Sequence, residues 1–439
     1  MAITLTDSPN DLTVKGQKLF FVCTSSNLSE DNFKFIVVIK DEAGTQIAKY
    51  YKSPNLVGRL LFNLRPVINE LIKVDVVDSQ QSDGIIHNMP HAVNQQFTVA
   101  LTGMQKFEVE IGEFYDDPGG DEHLNLASRS VYLNAGCLQY RDGYKNPLLD
   151  YQSNDDGTTK AFLLDRETEL HKESGLTGVT IKTNNLEYGC VSWFYSASGL
   201  IGDNSPIVKY SIYNASGLVS SVSYLYVGNG GGPAAGSSVA KNQQAYGAFY
   251  PGNISNADSF YTDTPATVAN WTYYTIQLFT NEEADEASLP LIFVNDCAPT
   301  KHSPAQLAWT NSVGGWEYLT FNGRVKNSIS SSSKNYTRDM GDYNITTYSF
   351  NTFDRQETSF HIDSSLSYTL YRQNASDVDS RLLASLAKSQ NVMVSLNNTV
   401  QPEWLPVIVE SPNFNIEPSV SSKNLTLSVK IKLAQQEQC

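Results

Sequence analysis

The stretch Trp309-Thr310-Asn311-Ser312-Val313-Gly314-Gly315-Trp316-Glu317-Tyr318-Leu319-Thr320-Phe321 admits few folds. Leu307 and Trp309 run in at period two, small residues follow, and Trp316, Tyr318 and Thr320 alternate on the way out. That is the pattern of a β-hairpin. Gly314 and Gly315 are expected to supply the positive φ of its tight turn. Trp309, Trp316, Tyr318 and Phe321 are the candidate interaction residues, because aromatic side chains anchor interfaces. The same property makes them core anchors, and with Trp193, Trp271 and Trp404 they are read as core or interface residues before sugar platforms.

A chain of 439 residues exceeds one ordinary core. The expected fold is mainly β: tandem antiparallel β-sandwich (Ig-like) modules, with a C-terminal β-module carrying one short α-helix. The division is 1–102, 103–300 and 301–439. In the first module, strands are expected over 18–23, 33–40, 46–51 and 60–64, with a turn at Asp41-Glu42-Ala43-Gly44. A helical turn is expected from Pro66, and a strand over 96–101. In the second, strands are expected at 107–111, 131–138, 176–181, 190–195, 207–213, 220–226, 271–279 and 291–294, with a hairpin turn at Asn214-Ala215-Ser216-Gly217. Residues 228–256 read as a long Gly-rich loop, and its Gly230, Gly231 and Gly232 are candidate contact residues.

In the third module, the serine-rich 326–334 reads as a polar loop, with strands at 343–350 and 356–362. The helix over 377–390 is announced by Ser376 as N-cap, Asp379 three residues on, and Val378, Leu382, Leu383 and Leu386 on one face. Strands follow at 391–396 and 406–410. The end alternates Leu425, Leu427, Val429, Ile431 and Leu433 with polar residues, a strand with one dry face.

The net charge of −15 disfavours nucleic acid as the main partner, since phosphate neutralisation needs clustered Lys and Arg. Five scattered cysteines suit buried thiols in a reducing cytoplasm. The start shows no signal-peptide pattern, and no apolar run reaches spanning length, so no membrane partner is expected. His87 and His91 are four apart, but Pro90 intervenes and no Glu follows His87, so no metal is assigned. The acidic turn Asp116, Asp117, Asp121 and Glu122 is read as solvated; a calcium loop and paired hydrolase carboxylates are its weaker alternatives. No phosphate cradle or nucleophile elbow occurs. No catalytic residue and no cofactor are assigned, and an enzyme is not expected.

The order of Leu60-Leu61-Phe62-Asn63-Leu64-Arg65-Pro66-Val67-Ile68, Phe107-Glu108-Val109-Glu110-Ile111, the aromatic hairpin, Lys334-Asn335-Tyr336-Thr337-Arg338 and Gly341-Asp342-Tyr343-Asn344 resembles a group of virion proteins of tailed phages, notably phages of Bacteroidetes and related marine phages. The helix, the Pro406 strand and the alternating end complete the likeness; 228–256 has no counterpart. The resemblance implies a tail, baseplate or neck (collar) component of the virion, made in the host cytoplasm. Its partners would be other virion proteins and copies of itself. The alternatives are a receptor- or carbohydrate-binding tail tip, with a host-surface glycan as partner, and a capsid decoration or head-fibre protein.

Overall fold

The computed structural model describes residues 3–17, 19–76, 84–89, 98–99, 102–116, 122–136, 147–151, 157–195, 207–225, 243–255, 263–279, 286–296, 301–339, 341–349, 351–353, 355–396, 402–410 and 425–434. The fold is mainly β. Among the described residues strands form six sheets, accompanied by three α-helices. None of these helices is long and apolar enough to cross a membrane.

Near the N-terminus a three-stranded sheet (Ile3–Asp7, Phe20–Ser25, Arg59–Asn63) faces a five-stranded one. The latter runs Leu12–Val14, Glu122–Asn134, Met104–Phe114, Lys34–Lys40, Gln46–Lys52. Period two sorts the side chains: Leu60 and Phe62 point into the core, while Leu61 between them is exposed. The apolar run in Lys34–Lys40 makes it a central strand buried on both faces. The Asp41–Gly44 turn closes with Gly44 at φ +80°, and Pro66 opens the short helix Arg65–Ile68. The sheet pairing crosses residue 102: Met104–Phe114 pairs with Lys34–Lys40.

The central region holds a six-stranded sheet ordered Thr168–Leu170, Thr177–Thr183, Leu291–Asn295, Trp271–Phe279, Ile207–Asn214, Gly217–Leu225. A three-stranded sheet of Val191–Tyr195, Gln243–Gly247 and Thr98–Val99 lies beside it. The expected strand at 96–101 therefore joins the central region; of that span only 98–99 is described. Two pairings are parallel where an antiparallel fold was expected: Thr177–Thr183 with Leu291–Asn295, and Leu12–Val14 with Glu122–Asn134. Each joins strands distant in sequence, so no hairpin turn dictates their direction.

Residues 305–433 supply the seven-stranded sheet Trp316–Phe321, Ala305–Thr310, Val392–Ser395, Leu405–Val409, Leu425–Leu433, Glu357–Ala375, Val325–Thr337. Its helix Asp377–Leu386 starts in a full capping box, with Asp379 N–H donating to Ser376 Oγ and Ser376 N–H to Asp379. The helix ends four residues before the expected 390. Leu382, Leu383 and Leu386 are buried under it, whereas Val378 is partly exposed.

Three further expectations are corrected. The span 228–256 is not one loop: Gln243–Gly247 is a strand and Pro251–Ser255 a buried helix, while Gly230, Gly231 and Gly232 lie outside the described residues. The serine-rich 326–334 is not a loop but most of the strand Val325–Thr337, paired over thirteen positions with Glu357–Ala375. The strand expected at 343–350 is instead a small hairpin, Asp342–Asn344 with Thr347–Ser349.

The strands of the hairpin at 305–321 share two buried clusters, and Val313 in its turn belongs to a third, smaller one with Val14, Leu163 and Phe194. Ala308, Trp316 and Tyr318 belong to a large core continuous from Ile3 to Trp404. Ala305, Leu307, Trp309, Leu319 and Phe321 belong to the C-terminal core with Leu370, Leu382, Val394 and Val429. Alternation along two adjacent strands thus gives the hairpin one face in each core. Only Gly314 has the expected positive φ, at +83°. Gly315 is needed for closeness: a Cβ there would lie 2.0 Å from the Leu163 carbonyl oxygen. Gly315→Ala should therefore lower stability by about 2–3 kcal/mol, as overpacking does. Gly44→Ala, strained but in open space, should cost about 1 kcal/mol. Urea unfolding of both variants checks the ranking; equal stability of the two would contradict it.

Candidate functional site

The hairpin turn gathers polar contacts from several distant segments, and all of it but Ser312 is buried. Asn311 Oδ1 accepts from the N–H groups of Val313 and Gly315, at 3.2 and 2.8 Å, and its Nδ2 donates to the Leu163 carbonyl at 2.8 Å. Asn134 Nδ2 donates to the Val313 carbonyl at 2.7 Å, and Gln244 Nε2 to that of Gly314 at 2.9 Å. Trp316 Nε1 donates to the Asp75 carbonyl at 3.1 Å. The turn is thus held by groups from the five-stranded sheet, the central three-stranded sheet and two connecting segments.

Next to it lies a buried ion pair. Glu317 Oε2 accepts from Arg166 Nε at 2.9 Å, and Oε1 from the Asp165 N–H at 2.8 Å. Arg166 also donates to the Tyr318 carbonyl at 3.0 Å. Burial pushes the Glu317 carboxyl up, and the guanidinium and the Asp165 N–H pull against that. On the opposite face the Tyr318 hydroxyl lies 2.7 Å from His87 Nδ1 and accepts from the Cys190 N–H at 3.0 Å. Trp316 meets the His87 ring edge-on at 4.5 Å, with Trp404 at 4.6 Å. Burial lowers the His87 pKa to about 3 and raises the Tyr318 phenol well above its ordinary value. Burial thus favours the neutral form of both groups, and the cluster is packed tightly by its aromatic rings.

Glu187, also buried, accepts from Thr183 Oγ1 at 2.9 Å and Asn184 Nδ2 at 2.7 Å. Burial raises its pKa to about 7, against hydrogen bonds from Thr320 and Thr183 and the nearby Arg372. Arg372 itself pairs with Asp379 and reaches the Thr320 carbonyl, tying the capping box to the hairpin. Among the described residues no three His, Cys, Asp or Glu side chains cluster to hold a metal ion. His91, Asp117 and Asp121 lie outside the described residues. Asp116 accepts from Asn32 Nδ2, and Glu122 pairs with Lys49 and Tyr51.

A cleft of about 700 Å³ opens where the N-terminal body meets the hairpin turn and the end of helix Asp377–Leu386. Lys15, Lys73 and Lys388 stand in its lining with Asn311, Ser389 and Asn391. Glu70 and the apolar Ile72, Val74 and Val76 line it too; among the described residues no aromatic side chain does, so it offers hydroxyl, amide, ammonium and carboxylate groups but no stacking face.

The exposed apolar surface is elsewhere. Trp309, Trp316, Tyr318 and Phe321, the candidate interaction residues, are buried within the chain and face no partner; period two commits each to a core. Instead, residues 329–337 and 357–366 extend beyond the seven-stranded sheet as a two-stranded ribbon. Ile329, Tyr336, Phe360 and Ile362 are exposed along it, and Tyr343, Ile345, Tyr348 and Phe353 near its tip. The serine run hides these residues from a sequence reading. Glu317 and Arg166 were equally missed, although a Glu between Trp316 and Tyr318 is itself a signal: a charge inside an aromatic hairpin needs a partner.

No family model and no curated protein matches this chain. Among solved structures, the native conformation of the E. coli alpha-2-macroglobulin is similar over 85% of this chain and 22% of that one, with 7% identity and a TM-score of 0.19. At that score the likeness carries no argument.

The buried charges can be tested in two ways. Glu317→Gln leaves Arg166 buried without its counter-charge and should cost about 3–5 kcal/mol, while the double change Arg166→Met/Glu317→Leu should cost much less than the two single changes together. A double-mutant cycle by urea unfolding reads the coupling; additive costs would contradict it. The second test concerns pH. His87 stays neutral in the fold below its unfolded pKa of 6.5, so its contribution is lost as pH falls from 6.5 toward 3. Glu187 binds its proton more tightly in the fold, so its contribution is lost as pH rises from 4.5 toward 7. Where these ranges overlap the two slopes oppose, each about 1.4 kcal/mol per pH unit. Relative to wild type, His87→Gln should gain stability on acidification from pH 6.5 to 4.5, and Glu187→Gln should lose it. Parallel pH profiles for all three proteins would remove this assignment.

Proposed function

We propose that this chain is a non-enzymatic structural protein of a tailed-phage virion, in the tail, baseplate or collar, acting as part of a symmetric ring or as an adaptor between other virion proteins. The observation that carries the reading is the ribbon of 325–366. A body closed over three buried clusters extends a two-stranded arm whose apolar side chains face solvent. Large apolar side chains grouped on one projecting element mark a protein contact, whereas single exposed ones do not. The order of sequence motifs supplies the particle; the arm supplies the mode of action.

The cleft near Lys15, Lys73 and Lys388 favours one second reading, recognition of an acidic host-surface glycan through ammonium and hydroxyl contacts. It lacks the aromatic platform on which sugars commonly stack, and so stands second.

Image reconstruction of the phage particle tests the first reading. It should place this chain at ordered, symmetry-related positions with the 325–366 arm against protein. Mass spectrometry of purified particles that finds no trace of the chain would contradict it. Glycan-array binding by the isolated protein, abolished by Lys73→Ala/Lys388→Ala, would favour the second.

A further inference from the structure

We infer that the 325–366 ribbon docks on the same ribbon of a second copy of this chain, so that paired arms hold the assembly together. The choice of a copy as occupant deepens the assembly reading and rests on it; the physical need for an occupant does not.

That need comes from the ribbon itself. Strand Glu357–Ala375 pairs with Leu425–Leu433 only from Ser367 onward. Residues 329–337 and 357–366 therefore form two strands with no third strand among the described residues, over about 30 Å at the usual rise. An isolated two-stranded ribbon is marginal in water. This one also leaves apolar groups on both faces. On Val325–Thr337, Ile329 and Tyr336 fall on opposite faces by alternation. Ile362 lies opposite Ser333, on the Ile329 face, and Phe360 contacts Tyr336 at 6.2 Å between ring centres. The chain's own body covers neither face: Ile329 is 76% exposed and Phe360 64%.

Size, edges and charge favour a copy as the occupant. At about 150–250 Å² for an aromatic side chain, the eight exposed apolar residues of ribbon and tip present of the order of 1,000 Å². A standard interface takes about 800 Å² per partner, a size the arm reaches only when both its faces and its tip are covered together. Val325–Thr337 is also the edge of its sheet, with serines at 328 and 330–333, and contains neither Gly nor Pro. Such an edge can take a further strand in β-augmentation, and a two-fold axis supplies one with no other protein. The span 325–366 carries four basic and five acidic residues, while the whole chain has a net charge of −15. A foreign partner for an acidic protein would be met by a charged surface. A nearly neutral arm lets two strongly like-charged bodies associate at a distance from each other's charge.

The test uses the full chain in solution. Sedimentation equilibrium over a dilution series should give a mass that is an integer multiple, two or more, of 48.5 kDa for the wild type. The variant Ile329→Ser/Tyr336→Ser/Phe360→Ser/Ile362→Ser should fall to a monomer with an unchanged near-UV circular dichroism spectrum. Should that variant misfold, the single change Phe360→Lys with hydrogen exchange replaces it. In the wild-type oligomer the amides of 329–337 should be protected at high concentration and lose protection on dilution, and Phe360→Lys should abolish that dependence. A wild type that stays monomeric at every concentration, or a folded variant that keeps its oligomeric mass, overturns the inference. Failure here is separable from failure of the particle reading. A monomer found in the particle with its arm on a different protein removes only the copy; an oligomer absent from the particle removes only the virion.

Discussion

A largely buried hairpin turn must find protein partners for its peptide groups, and this constraint shapes the rest of the fold. Leaving such groups unpaired costs roughly as much as the hydrogen bonds themselves are worth. The turn at 311–315 meets the requirement with side chains from far along the chain: Asn134, Gln244 and its own Asn311. Glycines let those partners approach. Gly136 and Gly315 sit where a Cβ would meet a backbone oxygen at 2.5 and 2.0 Å. The Asn134 contact fixes the five-stranded sheet relative to the hairpin, and the Gln244 contact the central three-stranded sheet. The N-terminal and central sheets are thus joined to the C-terminal one by specific polar contacts as well as by apolar area.

The same arrangement explains how one chain carries both a closed body and an exposed arm. Trp309 and Phe321 on one face of the hairpin and Trp316 and Tyr318 on the other consume its aromatic residues inside. Among the described residues no strand pairs with the outer edge of Val325–Thr337 at the other end of the seven-stranded sheet. There Tyr368 and Leu370 root strand Glu357–Ala375 in the C-terminal core, and the strand continues outward through Leu366 to the exposed Ile362 and Phe360. A rooted strand can project because its base is fixed, and what it projects is free to contact another molecule. Burial of the aromatic hairpin and exposure of the ribbon are two consequences of one sheet whose two ends meet different surroundings.

Much of the fold was legible because period two is a strong signal where one face is dry. The hairpin at 305–321, the strand Leu425–Leu433 and most central strands announce themselves through alternating Trp, Tyr, Val, Ile and Leu. The capping box at Ser376 and Asp379 was equally clear. The ribbon was not: with both faces wet, hydrophobic alternation disappears, and serine runs look like loops. The useful signal was the lack of Gly and Pro across Val325–Thr337 and Glu357–Ala375. Partner choice between strands was hidden too, since the parallel pairing of Thr177–Thr183 with Leu291–Asn295 depends on residues more than a hundred positions apart. The aromatic residues picked out as contacts were recognised as anchors, but a sequence does not say whether an anchor faces its own core or a neighbour.

The central claim is that the turn at 311–315 opens only when the whole body unfolds. Native-state hydrogen exchange at single-amide resolution tests it most directly. The Val313 and Gly315 amides, both bonded to Asn311 Oδ1, should exchange with the same free energy and denaturant dependence as Val37 and Ile111 in the core of the N-terminal sheet. Exchange of those two turn amides through a low-energy, denaturant-independent opening, while Val37 and Ile111 remain protected, would contradict it.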